Sequence, residues 1–158
     1  MANWLAQHGV AAFVLKYRLA KDDANAAGAA QPYTVDRDAL ADAQRALVAL
    51  GSPLLDVLLA RSAPHLAPDV AATLARSTDL RCRRVLAERA DLGEDVQVEL
   101  ARSDDYATQD ALVRVPGRGD EALWVLVHSR FENIGASLAT QSGALSARVL
   151  LALSDRPE

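Results

Sequence analysis

A single cysteine, Cys82, stands in a chain of 158 residues. No internal disulfide can form, so a core must hold by packing, and a reducing compartment is the expected setting. Aromatic residues are scarce, at 4%. The core then has to be assembled from Leu, Val and Ala, a composition that favours helices in close approach. No apolar run reaches the roughly 18–20 residues that a bilayer span needs. The opening Met1-Ala-Asn-Trp-Leu5 has neither the basic start nor the apolar stretch of a secretory signal. Cytoplasm is the expected location. Positive charge is short as well: the net charge is −4 and the pI is near 5.3. That weighs against nucleic-acid binding and against a polybasic membrane patch. His8, His65 and His128 lie far apart with no cysteine cluster, so no metal site is expected. Pro116-Gly-Arg-Gly119 lacks the Lys-Ser/Thr of a phosphate loop and reads as a turn. No cofactor is expected.

What is present is ordinary for a folded protein: 51% hydrophobic and 24% charged residues. The length suits one domain, or two small pieces sharing a core. The first piece, residues 1–50, reads as helix, strand, loop and helix. Ala2 to Gly9 is a short helix closed by glycine. Val10 to Val14, continued through Leu15, Tyr17 and Leu19, is unbroken in its apolarity. A strand buried on both faces fits that run, and a buried helix is the alternative. Lys21 to Gln31 has no period and reads as a loop. Asp36 can cap a helix reaching Leu50, with Leu40, Ala43, Leu47 and Leu50 on one stripe and Gly51 ending it.

The run from Trp4 to Leu19, followed by Ala41-Asp-Ala-Gln-Arg-Ala-Leu47, resembles part of an α/β-hydrolase of the acetyl-xylan-esterase-like group. The resemblance implies a helix and a sheet strand in the first run. In the second it implies the helix that precedes the nucleophile strand. The expected G-x-S-x-G nucleophile turn is replaced by Ala49-Leu-Gly-Ser-Pro-Leu54. Gly135-Ala-Ser-Leu-Ala139 is the nearest match, but it comes late and ends in Ala. No histidine follows His128, so a Ser-Asp-His triad in the family's order cannot be assembled around it. The segment is expected to be catalytically incomplete.

From residue 51 to 158 the texture changes to a repeat. Leu66-Ala-Pro-Asp-Val-Ala-Ala-Thr-Leu-Ala-Arg-Ser77 and Leu92-Gly-Glu-Asp-Val-Gln-Val-Glu-Leu-Ala-Arg-Ser103 lie 26 residues apart and agree at seven of twelve positions. The phrase returns as Leu126-Val-His-Ser129 and Leu151-Ala-Leu-Ser154. A second column, Leu59, Leu86, Leu112 and Leu138, has spacings of 27, 26 and 26. Such self-similarity predicts stacked supersecondary units. Each unit reads as two short helices: 53–62 with 68–77, 81–89 with 94–103, 106–115 with 120–129, and 132–142 with 146–154. Helices of this length are marginal alone and must bury their stripes against neighbours. The expected fold is therefore mainly α, a short α-solenoid of about four helical hairpins behind an N-terminal helix-(strand)-helix segment. The repeated phrases resemble the leucine-rich-repeat-variant family and, more loosely, HEAT-like arrays. The iron–sulfur cysteine cluster of some relatives is absent.

Arg76, Arg102 and His128 occupy equivalent places in successive units, so stacking should align them. One reading is a strip for a carboxylate-bearing peptide; the other is a solvated edge paired with Asp79, Asp104 and Asp105. Trp124 is either an exposed binding anchor or a core residue. Cys82, among Arg81, Arg83 and Arg84, is either an inert packed thiol or an activated one. The function expected is a non-enzymatic protein- or peptide-binding module. The alternatives are a fragment or regulator of a carboxylic-ester hydrolase, or a fusion of two unrelated pieces. Strand pairing between copies through residues 10–18 would give a homo-oligomer.

Overall fold

Helix boundaries follow the local chemistry of the chain. In the computed structural model, residues 38–140 and 145–155 are described, and they contain nine α-helices and no strand. These are α1 Leu40–Ala49, α2 Pro53–Ser62, α3 Pro68–Ala75, α4 Leu80–Ala87, α5 Glu94–Ala101, α6 Tyr106–Arg114, α7 Asp120–Val127, α8 Glu132–Thr140 and α9 Ala147–Ser154. The strand expected at residues 10–18, and the short helix before it, lie outside the described residues.

Proline opens α2 and α3, where its missing N–H would be unpaired in any case. Asp79 caps α4 by accepting from the Arg81 amide, and Asp105 caps α6 by accepting from the Thr108 amide. Glu94 and Asp95 in α5, and Asp120 and Glu121 in α7, place negative charge in the first turn, where the helix dipole favours it. Gly51 ends α1 with φ of 63°, a left-handed conformation that glycine adopts without strain.

Three of the second helices, α3, α5 and α7, stop two residues short of the expected ends, while α9 ends at Ser154 as expected. The cause is a serine turn repeated at each exit. The hydroxyls of Ser77, Ser103 and Ser129 accept from the amides of Asp79, Asp105 and Phe131 in turn. A side-chain acceptor two residues back offers the backbone a turn in place of another helical step. The repeated phrase Leu-Ala-Arg-Ser is thus half core and half turn.

Two rows of helices result. Among first helices, α4 packs on both α2 and α6, and α6 on α8. Among second helices, α5 packs on both α3 and α7, and α7 on α9. One apolar cluster runs through both rows. Leu86, Leu112 and Leu138 are fully buried in the first row, as are Leu100 and Leu126 in the second. α1, from the segment assigned to residues 1–50, packs against α2 and α3.

The last member of the column that runs through Leu74, Leu100 and Leu126 is displaced. Leu151 was expected below Leu126, yet it is 65% exposed. The helix keeps a strict 26-residue register instead, so Val149 falls under Leu123 and is fully buried. Ala152 and Leu153 then take the inward places below Leu126 and Val127. Leucine identity at a spacing of 25 placed the column one residue, or about 100° of helix, off the inward face.

Candidate functional site

Arg76, Arg102 and His128 are the residues immediately after α3, α5 and α7, and all three are exposed. Because those helices pack on one another in order, the three side chains mark equivalent ends of successive layers. Cations at helix C-termini also complement the helix dipole.

The acidic partners expected for this edge are engaged elsewhere. Asp79 binds Arg81 at 3.0 Å, Asp104 binds Arg130 at 3.7 Å, and Asp105 caps α6. The physical reason is local: each of these aspartates precedes the next first helix, where backbone amides and nearby arginines claim it. Burial works against Asp105 as an anion, but the Thr108 hydroxyl and amide hold its carboxyl below the usual range. Arg76 instead lies 3.8 Å from Glu99 on α5, a long and exposed contact. Arg102 has no ion pair among the described residues.

Trp124 is half-buried and belongs to a surface stack, not to the core. The His128 ring lies 4.4 Å from it, tilted by 50°. Arg148 of α9 places its guanidinium 4.1 Å from the indole centroid and also bonds Glu121 at 3.1 Å. His128 Nδ1 lies 2.8 Å from the Trp124 carbonyl oxygen, which can only accept, so the proton sits on Nδ1. Beside this stack, Trp124, Ala147, Arg148, Leu151, Ala152 and Asp155 line an open cavity of about 330 Å³. The displaced Leu151 is part of that lining. Arg76, Arg102 and His128 are not, so of the four expected residues Trp124 alone lines it.

Cys82 is fully buried, and burial, followed by the neighbouring charge of Asp56, pushes its thiol up to about 11. The flanking arginines do not activate it. Ser137 is a residue within α8 whose carbonyl accepts from the Thr140 hydroxyl. Residues 49–54, where the hydrolase resemblance would place a nucleophile strand, form the end of α1, the turn after it and the start of α2.

The polar residues that organise the layers escaped the sequence reading. Arg118, in the stretch read only as a turn, is buried and donates to the carbonyls of Leu112, Arg89 and Ala87 at 3.1, 2.9 and 2.5 Å. Burial without a carboxylate pulls its guanidinium down to about 10. Arg89 does the same one layer earlier, donating to Ala60 and Ala63 at 3.0 and 2.7 Å while bound to Asp91. Gln97 donates to Leu92 O and accepts from the Gly119 amide, both at 2.8 Å. Gln44 donates to His65 O at 2.6 Å and accepts from the Ala67 amide at 2.8 Å. Each glutamine thus ties a second helix to the start of the next one. The one available signal was an arginine in the short turn after α4 and after α6.

Among the described residues, no group of three or more His, Cys, Asp or Glu side chains is placed to hold a metal ion. No helix among them is long and apolar enough to cross a membrane. Comparison with protein-family models, with curated proteins and with solved structures returns no match.

Proposed function

We propose that the two rows of helices are a short α-solenoid of about four hairpins, and that the protein is a non-enzymatic module binding an acidic peptide or protein segment. The observation that carries this reading is the exposure of Arg76, Arg102 and His128 at the ends of three successive second helices. An extended acidic chain laid across the layers would meet a cation or imidazole at each. Guanidinium groups suit carboxylates through paired, charge-assisted hydrogen bonds. The Trp124 stack and its cavity provide an apolar end for the same partner.

The test uses a fluorescent octaglutamate peptide and the full chain. The double variant Arg76→Glu, Arg102→Glu should bind it at least about tenfold more weakly at low salt, because both favourable contacts become repulsive. Unchanged affinity in a variant that melts like the parent would remove the strip from consideration.

The hydrolase-related reading keeps one favourable observation: Ala41–Leu47 is helical, as that resemblance implies. As a catalytically incomplete fragment or regulator it calls for strand pairing with another chain, and a monomer with no strand signal in the infrared amide band would count against it. The same helix shares the glutamine bonding of α5, which favours its membership in the stack.

A further inference from the structure

α1 and α2 leave a slot that the rest of the stack fills. Aligning the first helices on their buried leucines sets Leu55, Leu58 and Leu59 of α2 level with Cys82, Val85 and Leu86 of α4, a spacing of 27. In α6 the same places hold Thr108, Ala111 and Leu112. All six residues of α4 and α6 are buried, whereas Leu58 is 49% exposed and Leu55 and Leu59 are half-buried. The difference is one of neighbours: α4 and α6 each have a first helix packed before them, and among the described residues α2 has none.

α1 occupies the place of a second helix. It packs on α2 and α3 as α5 packs on α6 and α7, and Gln44 bonds the start of α3 as Gln97 bonds the start of α7. Among the described residues no first helix stands before α1, and a groove lies open between α1 and α2. That groove encloses about 300 Å³ and is lined chiefly by Leu40, Ala43, Leu47, Leu55, Leu58 and Leu59. The exposed Leu40 and Leu58 give it an apolar face that water wets.

We infer that this groove is the docking site for the chain's own segment Val10–Leu19, which takes the place of a first helix and caps the stack. Two observations select that occupant. In every later unit the first helix precedes its second helix in the chain, so the filler should come from residues before α1. Of residues 1–37, the stretch Val10-Ala-Ala-Phe-Val-Leu-Lys-Tyr-Arg-Leu19 is the one long run dense in large apolar side chains; Lys21 to Gln31 has none. The stretch between Leu19 and α1 is long enough to place the segment anywhere along the groove, at about 3.3 Å per extended residue. A terminal unit of a repeat array also needs cover for its outer apolar face. This inference does not depend on the peptide-binding reading.

The experiment replaces Leu58 by p-benzoylphenylalanine in the full chain, irradiates it, and maps the cross-linked peptide by mass spectrometry. A link to residues 10–19 within a species of monomer mass is expected. A link in a species of dimer mass would assign the groove to a second copy and overturn the inference, as would no link to any segment. A second readout is amide exchange of residues 10–19 in Leu58→Asp. Exchange there should rise about tenfold or more while the amides of α6 and α7 stay protected. No change would overturn the inference, and general loss of protection would leave the cross-link as the deciding result.

Discussion

Arg118 Nη2 donates to the carbonyl oxygen of Ala87 at 2.5 Å, across 31 residues of sequence. The bond reaches the final residue of α4 from the turn after α6, so one arginine closes a helix end in the layer before its own. Last-turn carbonyls have no partner within their helix. Arg118 answers for Ala87 and for Arg89 beyond it, and its Nε–H also binds Leu112. Arg118→Met should therefore destabilise the fold by about 2–4 kcal/mol, since buried acceptors lose their donors. Arg118→Lys should fall between, because an ammonium lacks the planar fork. Urea denaturation followed by circular dichroism checks both, and a loss for Met below about 0.5 kcal/mol would reduce the arginine to a surface residue.

Register supplies a second expectation. Leu112 is fully buried in the first row, while Leu151 stands 65% exposed on α9. Leu112→Ala should cost about 2–5 kcal/mol through lost transfer energy and a cavity. Leu151→Ala should change stability by about 0.5 kcal/mol or less. Equal losses would mean that α9 follows the leucine spacing of 25 after all.

Asp56 carries a pH dependence of known sign. Its Oδ1 is buried without a hydrogen-bond partner, and burial, aided by the charge of Asp79, raises its folded pKa above the usual value. A raised carboxyl pKa means that the folded state holds the proton more tightly, so the ionised group opposes folding at neutral pH. That penalty fades as pH falls through the folded pKa and is absent below the unfolded one. Asp56→Asn should be the more stable protein at pH 7, by a few tenths of a kcal/mol after solvent screening. The advantage should vanish near pH 3, below the usual aspartate range. Paired melting curves at the two pH values decide it, and a larger advantage in acid would contradict the assignment.

Cys82 should be slow to react in the native protein. With the thiol pushed up to about 11, the ionised fraction is small at pH 8, and the sulfur has no exposed surface. Ellman's reagent at pH 8 should label urea-unfolded protein to completion while native protein remains largely unlabelled. Rapid native labelling would show that the arginines around it do activate the thiol.

Much of the helical order was legible because it is local. Pro53, Pro68, Asp79 and Asp105 mark helix starts by chemistry confined to one turn of chain. Leu86, Leu112 and Leu138 reveal an inward stripe because helical geometry repeats whatever lies beyond it. The candidate strip was legible in the same way, since Arg76, Arg102 and His128 follow directly from the repeat offset. The partners of that strip were not. Asp79 and Asp105 are used locally, on the amides at the starts of α4 and α6, whereas Arg76 meets Glu99 only once α3 has packed on α5.

The sequence by itself determined where helices begin and end, and which leucines recur, because caps, turns and helical period act over a few residues. The tertiary structure decided which polar groups point inward. Arg118 meets Ala87 and Gln97 meets Gly119 only after separate layers have packed. It also decided that Val149, not Leu151, faces the core, and that Trp124 lies between His128 and Arg148 on the surface. Those outcomes depend on contacts between residues far apart in the chain, for which a single repeat period carries no local signal.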